Sequence, residues 1–254
     1  MKKALLTIAG FDPSSGAGAT LDLKVFHRLG FYGLAVLTAV TVQNSYRVFG
    51  LKVLPPDLVR QQYQKLQADF NFSGLKIGMI GRRANIRVIE EIISENQNRP
   101  VVVDPVFRSS SGYWLLEKES IKKYLRALSG KITLLTPNLE EASLLLGQKI
   151  KTANDMEEAV INLSQLSCSA CLIKGGHLPG RALDILYDGR NLFHFEKEKL
   201  KVKVHGTGCF LSSAILGFLV IGLDLQRSCE KASSLIHQYL KSPLKISRGR
   251  LFDI

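Results

Sequence analysis

ALLTIAGFDPSSGAGATLDLKVFHRL, residues 4–29, changes its periodicity once. Ala4 to Gly10 is a mostly apolar run, too short for a helix, and it reads as a buried strand. Glycines and serines then interrupt the pattern, and from about Gly18 to Leu29 apolar residues recur at helical spacing. The same succession continues along the chain. LAVLTAVTV (34–42) is a second strand ending at Gln43 and Asn44. Pro55 and Pro56 open a helix through residue 70, because proline is tolerated in a first helical turn. LKIGMI (75–80), VVVDPV (101–106) and ITLLTPN (132–138) are further buried strands, with helices expected near 83–96 and 117–129. A helix from Asn138 and another near 154–167 lead to the strand ACLIKGG. DILYDG, NLFHFE and LKVKV predict a meander of short strands, and helices near 208–222 and 225–241 close the fold. Apolar strands alternating with helices imply a mainly parallel sheet covered on both faces. With no linker, repeat or low-complexity segment, residues 1–254 are expected to form one domain.

Composition narrows the function. Apolar residues make up 46% and charged residues 22% of the chain, which suits a soluble globular protein with a substantial core. No signal peptide is recognisable, and the most apolar segment, 211–225, contains glycines and is too short to span a bilayer. A cytoplasmic protein is expected. Cys168, Cys171, Cys209 and Cys229 do not form a disulfide framework, and the lone CxxC at 168–171 lacks a second pair for zinc, so core packing is its expected role. The net charge of +12 raises nucleic acid as a partner. Its one local concentration, Lys197, Lys199, Lys201 and Lys203, alternates as in a strand with lysines guarding an edge. Aromatic residues are not interleaved there, so no nucleic-acid platform is expected, and a basic surface suits an anion such as ATP.

In open parallel sheets, ligands bind at the carboxyl ends of the strands. Gly10 and Asp12, Gln43 and Asn44, Gly78 and Met79, Asp104, Asn138, and the run Lys174–His177 each follow an apolar strand, and all should meet on one rim. Taken singly, each has a plainer explanation. GFDPSSGAG (10–18) is neither GxGxxG nor a P-loop, and as a bare pattern it is a turn. Asn138 and Glu141 have the spacing of a capping box, although an amide and a carboxylate at a strand end also suit a magnesium–phosphate site. Asn154 to Glu157 repeats that spacing as a cap. Lys174 ends a buried strand as a solvated loop lysine would, yet the glycines beside it would admit a phosphate. VHGTGCFLSSAI (204–215) places Gly206, Gly208 and Cys209 at a helix entrance. Unsatisfied amides there can hold an anion, and the helix dipole should lower the thiol's pKa. The competing explanation is a tight turn followed by a core cysteine.

Order along the chain is more specific than any one piece. TIAGFDPSSGAGATLDLKVF (7–26), TVQN (41–44), KIGM (76–79), DPV (104–106) with SG at 111–112, TPNLEEA (136–142), KGGH (174–177) and HGTGC (205–209) together resemble the hydroxymethylpyrimidine kinase family of the ribokinase-like superfamily. The resemblance implies a three-layer α/β/α sandwich and an ATP-dependent kinase. Its substrate would be the hydroxymethyl group of 4-amino-5-hydroxymethyl-2-methylpyrimidine, and then the monophosphate, in thiamin biosynthesis. It further implies that amides from Gly206 through Thr207 and Gly208 to Cys209 stabilise the transferring phosphoryl group, with Cys209 as the base. Gln43 would bond the aminopyrimidine and Met79 would pack on the ring. Gly10, Val106 and Asp22 would line the pocket. Asn138, Glu141 and Asp104 would organise Mg2+ and phosphates, with Glu141 and Asp104 as metal ligands, and Lys174 would offset phosphate charge. A homodimer is expected on the same grounds, with no nucleic-acid or membrane partner. The chain departs from the family's pattern at Val204 and Phe210, where threonine is common, and at Ser110, where lysine is common. No GxGP-like motif is recognisable after residue 240. A pyridoxine or pyridoxal kinase of the same fold is the alternative, and a non-catalytic vitamin-binding sensor is another.

Overall fold

The computed structural model describes residues 2–176, 182–200, 202 and 204–254. Its strands are β1 (Ala4–Phe11), β2 (Tyr32–Gln43), β3 (Val48–Val53), β4 (Phe72–Ile77), β5 (Val101–Val103), β6 (Ile132–Leu135), β7 (Cys168–Lys174), β8 (Ala182–Tyr187) and β9 (Leu192–Lys197). Its helices are α1 (Gly18–Arg28), α2 (Pro56–Asp69), α3 (Asn85–Ser94), α4 (Ile121–Leu128), α5 (Leu139–Leu146), α6 (Ala153–Ser167), α7 (Thr207–Val220) and α8 (Leu225–Lys241). All the strands join one sheet in the order β3-β2-β1-β4-β5-β6-β7-β8-β9. The stretch from β2 through β1, β4, β5 and β6 to β7 is parallel. The edge strand β3 and the β8–β9 hairpin are antiparallel.

Alternation along the strands produces the three layers. In β1, Leu5 faces a core with α1, α7 and α8, whereas Leu6 and Ile8 face the core built with α2, α3, α4 and α6. Val102 and Leu134 repeat the first direction, and Val101, Val103 and Leu135 the second. A strand with both faces buried has no solvated side to spare for polar residues, hence the continuous apolar runs. Cutting any of these large side chains to alanine should cost about 2–5 kcal/mol. Helix α7 is apolar nearly all round, from Phe210 to Val220, because it is packed against the sheet, α1 and α8 together.

Three local expectations change. Val48–Val53, not anticipated as a strand, pairs antiparallel with β2 after the turn at 44–47. Of LKVKV, residues Leu200, Val202 and Val204 carry no strand, while Lys201 and Lys203 lie outside the described residues. The cap of α6 is not Asn154–Glu157: Thr152 accepts from the Asp155 amide and Asp155 returns the bond to the Thr152 amide. The hydroxyl two residues earlier is free of the helix and so wins the capping position. Cys168, Cys171 and Cys229 are buried free thiols. Among the described residues no helix is long and apolar enough to cross a membrane.

Candidate active site

The parallel strands end on one rim, and the backbone hydrogen bonds continue just past them. Gly78 N donates to Ile8 O at 2.9 Å, Asp104 N to Ile77 O at 2.8 Å, Thr136 N to Val103 O at 2.9 Å, and Lys174 N to Pro137 O at 2.9 Å. The residues after each strand are therefore held as firmly as the strands. This brings Gly10, Gln43, Met79, Asp104, Asn138 and Lys174 to one end of the sheet. His177 lies outside the described residues.

Above the rim stands the turn that opens α7. Gly206 adopts φ +83°, in the left-handed region that disfavours any residue with a β-carbon, and such a carbon would also collide with the Gly16 carbonyl. Gly208 comes close to the rim: a β-carbon there would stand 3.1 Å from both Asp104 Oδ2 and Lys174 Nζ. Thr207, the first residue of α7, is exposed. Cys209 is half-buried, and its sulfur accepts from the amide of Gly18, the first residue of α1. Two helix N-termini thus meet at one thiol. The expected lowering of its pKa does not occur. Burial pushes the thiol up to about 11, Asp22 and Asp104 add to that, and together they outweigh the opposing Lys76 charge and the Gly18 amide.

Asp104 and Lys174 are an ion pair across β5 and β7, with Nζ 2.7 Å from Oδ1 and both groups largely buried. Thr136 Oγ1 donates to the same Oδ1 at 3.4 Å. Asn138 and Glu141 form the capping box of α5, at 2.9 Å and 2.7 Å, as their spacing predicted. Burial pushes the Glu141 carboxyl up to about 8, with Lys174 opposing and Asp104 reinforcing the shift. Lys174 is the nearby positive charge and offsets the burial only in part. No group of three metal-binding side chains occurs among the described residues. Asp104 and Glu141 fit a magnesium ion that takes few protein carboxylates and completes its shell with phosphate oxygens and water.

At the other end of the rim, Met79 packs with Ala39, Leu115 and Val106, and its thioether lies across Gly10, where a β-carbon would clash. Gly10, Met79 and Val106 therefore form a single apolar wall. Gln43 Nε2 lies 2.7 Å from His205 Nε2, and the same ring nitrogen lies 3.3 Å from Asp12 Oδ2. Asp12 organises the 12–17 loop by accepting from Ser14 N, Ser14 Oγ, Gly16 N and Ala17 N.

Asp22 is not on this wall. It is 0% exposed, with Oδ1 and Oδ2 at 3.0 and 2.8 Å from Lys76 Nζ and further bonds from Thr7 Oγ1 at 2.6 Å and Ser213 Oγ at 2.8 Å. With its carboxylate fully partnered, Asp22 supports the site from beneath. Sequence reasoning missed Lys76, which sits mid-strand in an apolar run where no partner is visible.

Val204 and Phe210 both point into the α1/α7/α8 core, and Phe210 packs on Tyr239 and Phe252 at ring separations of 5.4 and 4.8 Å. Both side chains are buried there, Val204 at 8% and Phe210 at 1% exposure. Ser110 is exposed in a tight loop closed by the Arg108–Trp114 bridge. The segment after α8 supplies another wall: Leu244 pairs with Leu251, Gly249 N donates to Ser45 Oγ at 3.0 Å, and Arg250 O accepts from His205 N at 3.1 Å.

The sequence from residue 12 to 252 matches the family model described as phosphomethylpyrimidine kinase. A hydroxymethylpyrimidine/phosphomethylpyrimidine kinase of Aquifex aeolicus is 38% identical over 246 residues, 96% of each chain. Among solved structures, phosphomethylpyrimidine kinase from Clostridium difficile 630 superposes with a TM-score of 0.80 at 34% identity, covering 93% of this chain and 99% of that one. Pyridoxal kinase from Staphylococcus aureus in complex with AMP-PCP superposes with a TM-score of 0.90 at 28% identity, covering 100% of this chain and 93% of that one.

Proposed function

The chain belongs to the phosphomethylpyrimidine kinase family, with a ribokinase-like fold and a phosphotransferase activity that uses ATP, and we propose the residues by which it works. The reaction moves the terminal phosphoryl group of ATP to the hydroxymethyl group of an aminopyrimidine, and then to its monophosphate, within thiamin biosynthesis. The observation that carries the assignment of roles is the pairing, across one rim, of a small apolar patch with a helix-opening turn. On the wall, Gly10, Met79 and Val106 clasp the ring while Gln43 offers the donor and acceptor that an aminopyrimidine edge needs. Across from it, amides from Gly206 to Cys209 are fixed before the reaction and stabilise charge as it develops on the phosphoryl oxygens.

Lys174 exchanges its bond to Asp104 for phosphate oxygens. Asn138, Glu141 and Asp104 would hold the magnesium–phosphate end, and a bound cation would supply positive charge there. Cys209 accepts the proton of the attacking hydroxyl. Burial holds its thiol protonated at neutral pH in the free protein, so to act as the base it first gives its own proton to solvent. Initial-rate assays with the aminopyrimidine alcohol, its monophosphate and pyridoxal in parallel test the reading. Turnover confined to pyridoxal would overturn it.

A further inference from the structure

We infer that His205 determines which way the amide of Gln43 faces, and so sets the order of donor and acceptor that the site shows to a ring. An amide side chain has two orientations that fill the same volume and differ only by exchanging oxygen and nitrogen. Something outside the amide has to choose between them. Here the choosing atom is His205 Nε2, 2.7 Å from the Gln43 amide. With a lone pair, that nitrogen takes an N–H from Gln43; with a proton, it gives one to the Gln43 carbonyl. Either state permits one amide orientation and forbids the other.

The ring has little freedom to escape this role. Its main-chain N–H is tied to Arg250 O at 3.1 Å, and its Cδ2 would lie 2.7 Å from a β-carbon at Gly16, as would Leu251 Cδ2. The carboxylate that faces Nε2, Asp12 at 3.3 Å, is itself fixed by four donors from its own loop. Arg250 meets the main chain of His205 through its carbonyl, and its side chain is exposed. Ring and carboxylate are therefore both held in place, and what Nε2 presents passes through Gln43 to the substrate edge. His205 touches neither the reacting hydroxyl nor the phosphates; it is a positioning residue for specificity. The inference rests on the reading that Gln43 meets the ring.

The test compares the 4-amino substrate with its 4-oxo counterpart, in which the ring edge exchanges donor for acceptor. Wild type should prefer the amino compound by roughly tenfold or more in kcat/KM, since a mismatched edge leaves buried polar groups unpaired. His205→Phe keeps a ring against Gly16 and Leu251 but has no nitrogen. It should reduce the preference to within about threefold, mainly through KM for the amino compound. His205→Gln, whose own amide can meet Gln43 in either order, should relax the preference as well and guards against a variant that fails to fold. A preference unchanged in either folded variant overturns the inference. Gln43→Leu separates the two readings: if it leaves the wild-type preference intact, the placing of Gln43 on the ring has failed, whereas a preference lost there and kept in both His205 variants condemns only the role of His205.

Discussion

Lys76→Met tests whether the base of the site is a working ion pair or a buried liability. The substitution keeps the length and apolar stem of the side chain and removes one charge. Asp22, 0% exposed, would then keep only Thr7 and Ser213 as partners. Breaking a buried pair from one side costs about 3–5 kcal/mol, because the remaining charge stays desolvated. For a chain of this size, each kcal/mol moves the melting temperature by about 2–4 °C, so a fall of roughly 6–20 °C is expected. The double variant Lys76→Met, Asp22→Asn removes both charges and should recover much of that loss. Calorimetry or urea melts on wild type, both single variants and the double variant give the coupling directly. A loss below about 1 kcal/mol in Lys76→Met, or a double variant as unstable as the two singles summed, would refute the reasoning.

Cys209→Ala should fold with nearly unchanged melting temperature while turnover drops about 10²–10⁴-fold, measured as initial rate on the same preparation. Alkylation of Cys209 by iodoacetamide should be slow at neutral pH and accelerate as pH approaches about 11. A thiol with a raised folded value adds stability below its ordinary 9.0 and forfeits it between 9.0 and about 11. Gly206→Ala should cost about 1–3 kcal/mol in a urea melt from its left-handed backbone, with more from the clash with Gly16. Asp12 runs the other way: burial raises its pKa, but bonds from His205 and Ser14 together hold it below 3.8. Its carboxylate therefore stabilises the fold above pH 3.8, and that support fades as pH falls through the lower folded value. Asp12→Asn should flatten the acid limb of the stability curve; an unchanged limb would show that other carboxyls dominate it.

What the sequence disclosed was local. Short apolar runs followed by glycine or a polar residue marked the strand ends, and because those strands are parallel, marking the ends also located the rim. The capping box at Asn138 and Glu141 was legible for the same reason: both partners lie within one helical turn. Lys76 was illegible because its partner, Asp22, comes from α1, far away in sequence, and the groups that complete that carboxylate's bonds come from β1 and α7, so a lysine inside an apolar run carries no sign of them. Strand β3 escaped notice because VFGLKV is short, glycine-broken and exists by pairing with the edge of β2. The pKa of Cys209 went astray for a related reason. A helix entrance can be read from glycines, but the desolvation and the carboxylates that offset its dipole belong to the tertiary structure.

The segment from Gly249 to Phe252 closes against Ser45, Gly16, His205 and Phe210, so residues far apart along the chain share one wall. Loops that long are the slowest to close, and nothing repays their entropy until both ends are in place. On the ribosome, the sheet from β1 to β7 can assemble while this segment is still unsynthesised. A chain made only that far therefore has the scaffold without the wall that this segment adds to it.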